Sequence, residues 1–504
     1  MKMISRSASA ITLLIACLCL SLTGRVFAQG ASATPAALKT KVSKNELIAR
    51  LENVIPRLMK EGEVPGLSIA LIRNSEILWH RGFGVKNAET KEPAGNDTVF
   101  EAASLSKPVF AYAVLKLADS GKLDLDAPLA KYLPAPYIEN EDRLNLITAR
   151  RVLTHTTGFP NWRPQGQPLK IHFTPGERFS YSGEGFVYLQ TVIERLTGQP
   201  LDAFISKTVF EPLAMTSSSF VWQDRYETLK ATAHNSAGTP TSKRKPPQAN
   251  AAASLHTTAA DYARFVIAII NGAGLKKETI KAMLSPQVKV DEGCANCVNN
   301  IPTGRLSSSI AWGLGWGLQQ TEEGVSFWHW GDNNGDVHCY VVGFPAQKMG
   351  VVVFTNSGNG HSIIPEIINE AIGGKHPAIA WLKYESYNSP SRKLFRDVLA
   401  RGDAAINEYK ESRKNLSPPA LLSESQVNRL GYWLIAKKKT KEAIEVFKMN
   451  VEDHPDSSNV YDSLGEAYMI NGDKELAVRH YQKSVELNPN NANGIQMLKK
   501  LREQ

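Results

Sequence analysis

Cysteine is scarce in this chain, with five in 504 residues. Cys17 and Cys19 lie in the first apolar run, which leaves Cys294, Cys297 and Cys339, too few for a disulfide framework. Cys294-Ala-Asn-Cys297 reads either as a local disulfide or as two free thiols. A zinc site that adds His338 lacks a fourth ligand at suitable spacing, so no metal and no cofactor are expected. Apolar runs long enough to cross a membrane are also missing, so no membrane span is expected. Nor is there a large excess of one charge. The net charge is +9, of which Lys2, Arg6 and Arg25 supply three, and the balance argues against a nucleic-acid partner. A Gly-x-Ser-x-Gly elbow is absent, which removes the strand-turn-helix nucleophile pattern that depends on it.

What is present begins with an export signal over residues 1–28. Lys2 and Arg6 precede an apolar core from Ile11 to Leu22, and Val26-Phe27-Ala28 reads as a cleavage site. A lipoprotein box ending at Cys17 is the minor alternative. The expected location is therefore periplasmic or secreted. A small, polar stretch over 29–45 reads as a flexible leader.

Ser68–Ile72 and Glu76–His80 flank a turn and form one predicted hairpin. Val337–Gly343 and Gly350–Phe354 form a second, far downstream. Hairpins from both ends of a domain pair into one antiparallel sheet, with the helical middle packed on it, giving an α+β class over 46–375. After Ala380 the strand patterns stop. A linker and a degenerate helical pair are expected over 376–420, then repeats over 421–504. Gly431, Ala443, Phe447 and Pro455 recur as Gly465, Ala477, Tyr481 and Pro489, a period of 34 residues that resembles the tetratricopeptide repeat. Such units pack helices through small residues. They read as a structural appendage or as a docking site for a protein partner.

The chemistry-bearing stretch is Thr98–Pro108, which ends an extended run and opens an apolar helix. Ser104 and Lys107 lie three apart and project from one face of a helical turn. A serine hydroxyl needs a neighbour to take its proton, and a lysine does so only when its pKa is depressed. Ser242-x-x-Lys245 has the same spacing but lies in a basic, solvated loop. Two other stretches complete a candidate site. Tyr181 precedes a helix predicted from about Gly185, and a phenol beside two cations would titrate low enough to act as a base. Phe327–Gly335 is dense in glycine and aromatics, and His329 reads as a donor or shuttle near neutral pH.

Together these phrases resemble the serine β-lactamase-related family of class C β-lactamases, D-aminopeptidases and esterases. Ser104-Leu-Ser-Lys107 stands at the nucleophile box, and Leu153-Thr-His-Thr-Thr-Gly158 resembles the turn after it. Phe173-Thr-Pro-Gly176 leads to Tyr181-Ser-Gly183 at the second box, and His329-Trp-Gly331 stands at the third. The resemblance implies an α+β transpeptidase-like fold, in which an antiparallel sheet flanked by helices joins an all-helical domain. It implies Ser104 as the acylated nucleophile, with Lys107 and Tyr181 sharing its proton. The backbone N–H groups of Ser104 and Asp332 would hold the oxyanion, while His329, Gly331 and Gly183 would line the substrate pocket. Gly183 and His329 replace an asparagine and a lysine, which points away from a true β-lactamase. The implied substrate is a small ester, or an amide or peptide of D-amino-acid type. A non-catalytic relative that binds cell-wall fragments or peptides is the alternative.

Overall fold

The computed structural model describes residues 37–298, 302–416 and 421–503. The export signal over 1–28, its Cys17 alternative and the start of the leader fall outside those residues. The leader read over 29–45 ends earlier than its composition suggested. Lys39 donates its backbone N–H to Ile372 and pairs through Nζ with Glu370 at 3.1 Å. Arg73 holds the Val42 and Lys39 carbonyls at 2.6 and 3.0 Å.

The strands are β1 (Gly66–Arg73), β2 (Glu76–Gly84), β3 (Phe100–Glu101), β4 (His256–Thr257), β5 (Val288–Asp291), β6 (Leu306–Trp312), β7 (Gly317–Thr321), β8 (Gly324–Asn333), β9 (Val337–Phe344) and β10 (Met349–Thr355). Eight of them form one antiparallel sheet in the order β2-β1-β10-β9-β8-β7-β6-β5. As expected, the two predicted hairpins join in this sheet, β1 against β10, where Ile69 faces Val353 and Leu71 faces Val351. β3 and β4 form a separate two-stranded ribbon.

The period of two in β1 and β10 divides the core. Ile69, Leu71, Val351 and Val353 face one side, where Leu47, Leu51 and Ile55 of helix Lys44–Glu61 cover them together with helix Ile364–Ala371. Ala70, Ile72, Val352 and Phe354 face the other side, against helices Ser106–Asp119 and Ala259–Ile270 and the helical middle of the chain. Both faces are buried, so these strands read as near-continuous apolar runs.

The C-terminal part is helical. Helices Pro390–Arg401 and Asp403–Ser412 supply the degenerate pair, and their Phe395, Val398 and Ile406 share one core with the repeats. In each repeat a glycine lets two helices close. A Cβ on Gly465 would sit 3.1 Å from the Tyr481 ring, and one on Gly431 would strike Phe447. This explains the matched Gly–aromatic register. The array is fastened to the sheet domain. The buried Arg392 donates to Asn359 Oδ1 at 2.6 Å and lies 3.7 Å over the Trp433 ring. Asn359 in turn donates to the Glu63 and Ser236 carbonyls. Lys437 pairs with Glu63 at 3.1 Å.

Arg392→Ala is therefore expected to cost on the order of 2–3 kcal/mol, through a lost charged hydrogen bond and a desolvated cation–π contact. Denaturant unfolding checks this, and an unchanged midpoint would contradict the fastening.

Candidate active site

Ser104 stands in a 3-10 turn, Ala103–Leu105, between β3 and helix Ser106–Asp119. Ala103 has φ of 49°, a left-handed backbone that costs energy in any residue but glycine. Bonds on every side hold it there. The Ala102 N–H donates to Leu255 O at 2.8 Å, Tyr262 OH donates to Leu105 O at 3.0 Å, and Ser106 Oγ donates to Ala103 O at 2.6 Å. Residues 99–115 are otherwise buried, and Ser104 alone among them reaches partial exposure. The turn thus lifts one hydroxyl out of a packed helix.

Lys107 has no exposed surface. Its Nζ is 3.0 Å from Ser104 Oγ and 2.9 Å from Ala252 O, and neither partner is an acid. A buried, unpaired ammonium is too costly to keep, so burial drives its pKa well below the ordinary lysine value. A neutral amine keeps a lone pair for the serine proton.

The Tyr181 ring lies 4.8 Å beneath Nζ. The structure corrects the proton state expected of this phenol. Burial raises its pKa far above the usual value, and the nearby Ser104 offsets this only in part. The sequence suggested two cations beside it, but burial disfavours the charged form of the amine there. Tyr181 therefore rests protonated.

His329 needs a similar correction. It is fully buried, and burial, followed by the nearby Lys107, pushes its pKa down to about 3. Its Nδ1 is 2.7 Å from Trp330 O, which only accepts, so Nδ1 carries the hydrogen. Nε2 is then a bare acceptor with no hydrogen-bond partner among the described residues. At neutral pH His329 is neither a shuttle nor a source of positive charge.

β7 stops pairing with β8 at Trp328, so His329–Asn333 extend past it as a free edge beside the Ser104 turn. Gly331 makes this approach feasible. A Cβ there would fall 2.7 Å from Ala102 O and would strike the Cys339 sulfur. Asp332 turns its carboxylate to Gly335 N, at 2.8 Å, and to His338 Nε2, at 3.5 Å. Gly183 lies under Trp162, and a Cβ at 183 would come within 2.8 Å of both Asn161 O and the Trp162 ring. An indole, itself 45% exposed, occupies the space beside Gly183.

Two groups went unrecognised in the sequence. His155, with φ of 55°, brackets Tyr181. Its carbonyl accepts Ser180 N–H at 2.8 Å, its Nδ1 accepts Ser182 N–H at 3.0 Å, and its ring stacks on Tyr181 at 4.3 Å. The left-handed bend in a Thr-His-Thr-Thr turn carries no periodic signal. The second group is a buried ion network at the foot of the site. Arg244 donates to Glu101 at 2.8 Å and to Asp336 at 2.7 Å. Lys230 stands 3.6 Å from Glu101, while Asn333 donates to Glu101 and to Ala253 O. Burial would raise the Glu101 pKa, but Lys230 and Arg244 outweigh it and keep the carboxylate ionised. The basic loop is thus only partly solvated. Ser242 and Lys245 are exposed, but Arg244 plugs into the fold. Cys294 and Cys297 form a disulfide, which decides between the two readings of that pair.

Comparison with known proteins places the chain in a family and a fold. The β-lactamase family model matches residues 51–366, and the tetratricopeptide repeat model matches 458–491. Esterase EstB of Burkholderia gladioli is 33% identical over 208 residues, 35% of this chain and 52% of that protein. Protein flp of Staphylococcus aureus is 26% identical over 193 residues, 35% of this chain and 39% of that protein. The matched stretch thus spans about half or less of these relatives' length. The octameric penicillin-binding protein homologue from Pyrococcus abyssi aligns with a TM-score of 0.55 at 25% identity, covering 69% of this chain and 80% of that one. D-alanine carboxypeptidase AmpC from Burkholderia cenocepacia aligns with a TM-score of 0.54 at 18% identity, covering 65% and 99%, and shares the fold.

Burial holds His155, His256, His329 and His361 neutral below the pH at which free histidine takes a proton. The unfolded chain therefore binds more protons as pH falls below about 6.5, and stability falls with it. Each such group contributes up to about 1.4 kcal/mol per pH unit until its folded-state pKa is reached. Thermal unfolding between pH 7 and 4 should show a steep drop, and a flat profile would contradict the buried neutral histidines.

Proposed function

Since this chain belongs to the serine β-lactamase-related family, we propose that it is a hydrolase that forms an acyl-enzyme on Ser104. Its substrates are carboxylic esters or D-amino-acid-type amides and peptides, with neutral esters favoured. The observation that carries the reading is the fully buried Lys107 amine, 3.0 Å from Ser104 Oγ, whose pKa burial drives well down.

In the first step the Ser104 proton passes to Lys107 Nζ while Oγ attacks the substrate carbonyl carbon. The oxyanion is held by backbone N–H groups of Ser104 and Asp332, at the free end of β8. Each such donor contributes on the order of a hundredfold in rate. Tyr181, resting protonated, gives its hydroxyl proton to the departing alkoxide or amine and is refilled from the Lys107 ammonium. Water then repeats the sequence in reverse and frees the acid.

Two features favour neutral substrates. His329 offers a bare acceptor where a lactam-processing site has a cation for a carboxylate. At Gly183 the Trp162 indole stands in place of an amide-binding side chain. We further propose that the protein is exported, on the strength of the Lys2–Ala28 pattern, and that the repeats dock a protein partner.

Intact mass after fluorophosphonate treatment tests the nucleophile. One adduct is expected, and Ser104→Ala should abolish it. Lys107→Ala and Tyr181→Phe should each slow p-nitrophenyl acetate turnover by about a hundredfold or more. Normal turnover in the Lys107 variant would sink the proton-transfer assignment. Because the neutral amine is the active form, activity is present above the Lys107 pKa and lost as pH falls through it. With that pKa well depressed, the pH–rate profile should hold its plateau far below the ordinary lysine range. A midpoint near 10.5 would contradict the depressed pKa.

A further inference from the structure

Tyr181 belongs to no helix or strand. Its place depends on what takes up the backbone around it. His155 accepts the N–H groups of Ser180 and Ser182, and Asn161 O accepts that of Gly183 at 3.0 Å. The Tyr181 N–H itself goes to Ala295 O at 2.8 Å. Ala295 is one of the two residues enclosed by the Cys294–Cys297 disulfide. The contact is reciprocal, because Val298 N–H donates to Ser180 Oγ at 3.1 Å. A ring of covalent bonds thus presents one carbonyl to the tyrosine beside the nucleophile.

The far side of this small loop is fixed as well. The Asp291 carboxylate accepts from Gly293 N at 2.7 Å and Gly304 N at 3.0 Å. Trp381 Nε1 donates to Asp291 O at 2.8 Å. The half-cystines themselves are buried, at 7% and 2% exposure. A disulfide that closes so short a loop restrains little of the unfolded chain. Its main effect is local, on the backbone path that aims Ala295 O.

We propose that the Cys294–Cys297 disulfide is a positioning clasp for Tyr181, and that its reduction slows proton transfer to the leaving group without unfolding the protein. The proposal rests on the Tyr181 role given above. Reduction by dithiothreitol moves two electrons and two protons to the clasp. The S–S bond breaks, two thiols form, and the reagent leaves as its cyclic disulfide. With the ring open, residues 294–297 regain backbone freedom and the Ala295 carbonyl is no longer held on the Tyr181 N–H. A misplacement of about 1 Å near a reacting group costs up to about a hundredfold in rate.

Full-length protein is compared before and after dithiothreitol, alongside Cys294→Ser/Cys297→Ser. On p-nitrophenyl acetate the expected result is a fall in kcat of about tenfold or more, with KM and the melting temperature little changed. The double variant should match the reduced protein and ignore the reagent. In a Tyr181→Phe background, opening the clasp should cost nothing further, because the group it positions is gone. A second measurement does not depend on turnover. Hydrogen exchange at the Tyr181 amide should accelerate by about tenfold or more on reduction. Unchanged exchange, or a rate loss of equal size in the Tyr181→Phe background, overturns the proposal. If the protein hydrolyses no ester at all, the exchange measurement still decides the clasp, so the two readings fail separately.

Discussion

Lys107 is a lysine with no acid to pair with, sealed where water does not reach. Everything around Ser104 follows from that. Helix Ser106–Asp119 is buried on all sides along its first turns, and its apolar neighbours remove the solvent that would keep an ammonium charged. The same burial that stabilises the domain therefore lowers the pKa of Lys107. Tyr181 and His329 obey one rule with it. Each sits against Lys107, each is buried, and each is held in its neutral form. In all three, burial disfavours the charged form.

Charge is instead gathered around Glu101, three residues before Ser104. Glu101 precedes the Ser104 turn and takes Arg244, Lys230 and Asn333. Removing one member of such a buried set leaves a stranded ion and costs about 3–5 kcal/mol. Asn333 ends the free edge of β8, and through Ala253 O it also braces the segment whose Ala252 carbonyl anchors Lys107. One ionic cluster therefore sets the register of both walls of the site. The disulfide loop performs the same service for Tyr181 from the opposite side.

Much of this was legible in the residues. Two hairpins with alternating β-branched residues gave one half of the sheet, and the Gly–aromatic register gave the repeats. Ser104, Lys107 and Tyr181 fell together as expected. What stayed hidden has a common physical cause. The left-handed bends at Ala103 and His155 are imposed by tertiary contacts and leave no periodic trace. The partnership of Arg244 with Glu101 spans 143 residues, and a basic loop gives no hint of it. The neutral state of Tyr181 depends on the depth of burial, which residue type alone does not convey. Gly183 and Gly331 were noticed as motif letters, yet their meaning is spatial: one yields room to an indole, the other to a carbonyl and a sulfur.

The indole over Gly183 has an evolutionary corollary. An asparagine introduced at 183 on its own would collide with the Asn161 carbonyl and the Trp162 ring, so the single step back toward a lactam-binding box is sterically closed. The route reopens only after the 161–163 segment has moved, and that segment is pinned by the Gly183 and Glu184 N–H groups and by Arg163 on Glu184. The order in which substitutions could be introduced here is thereby constrained, because room at 183 must be made at 161–163 first.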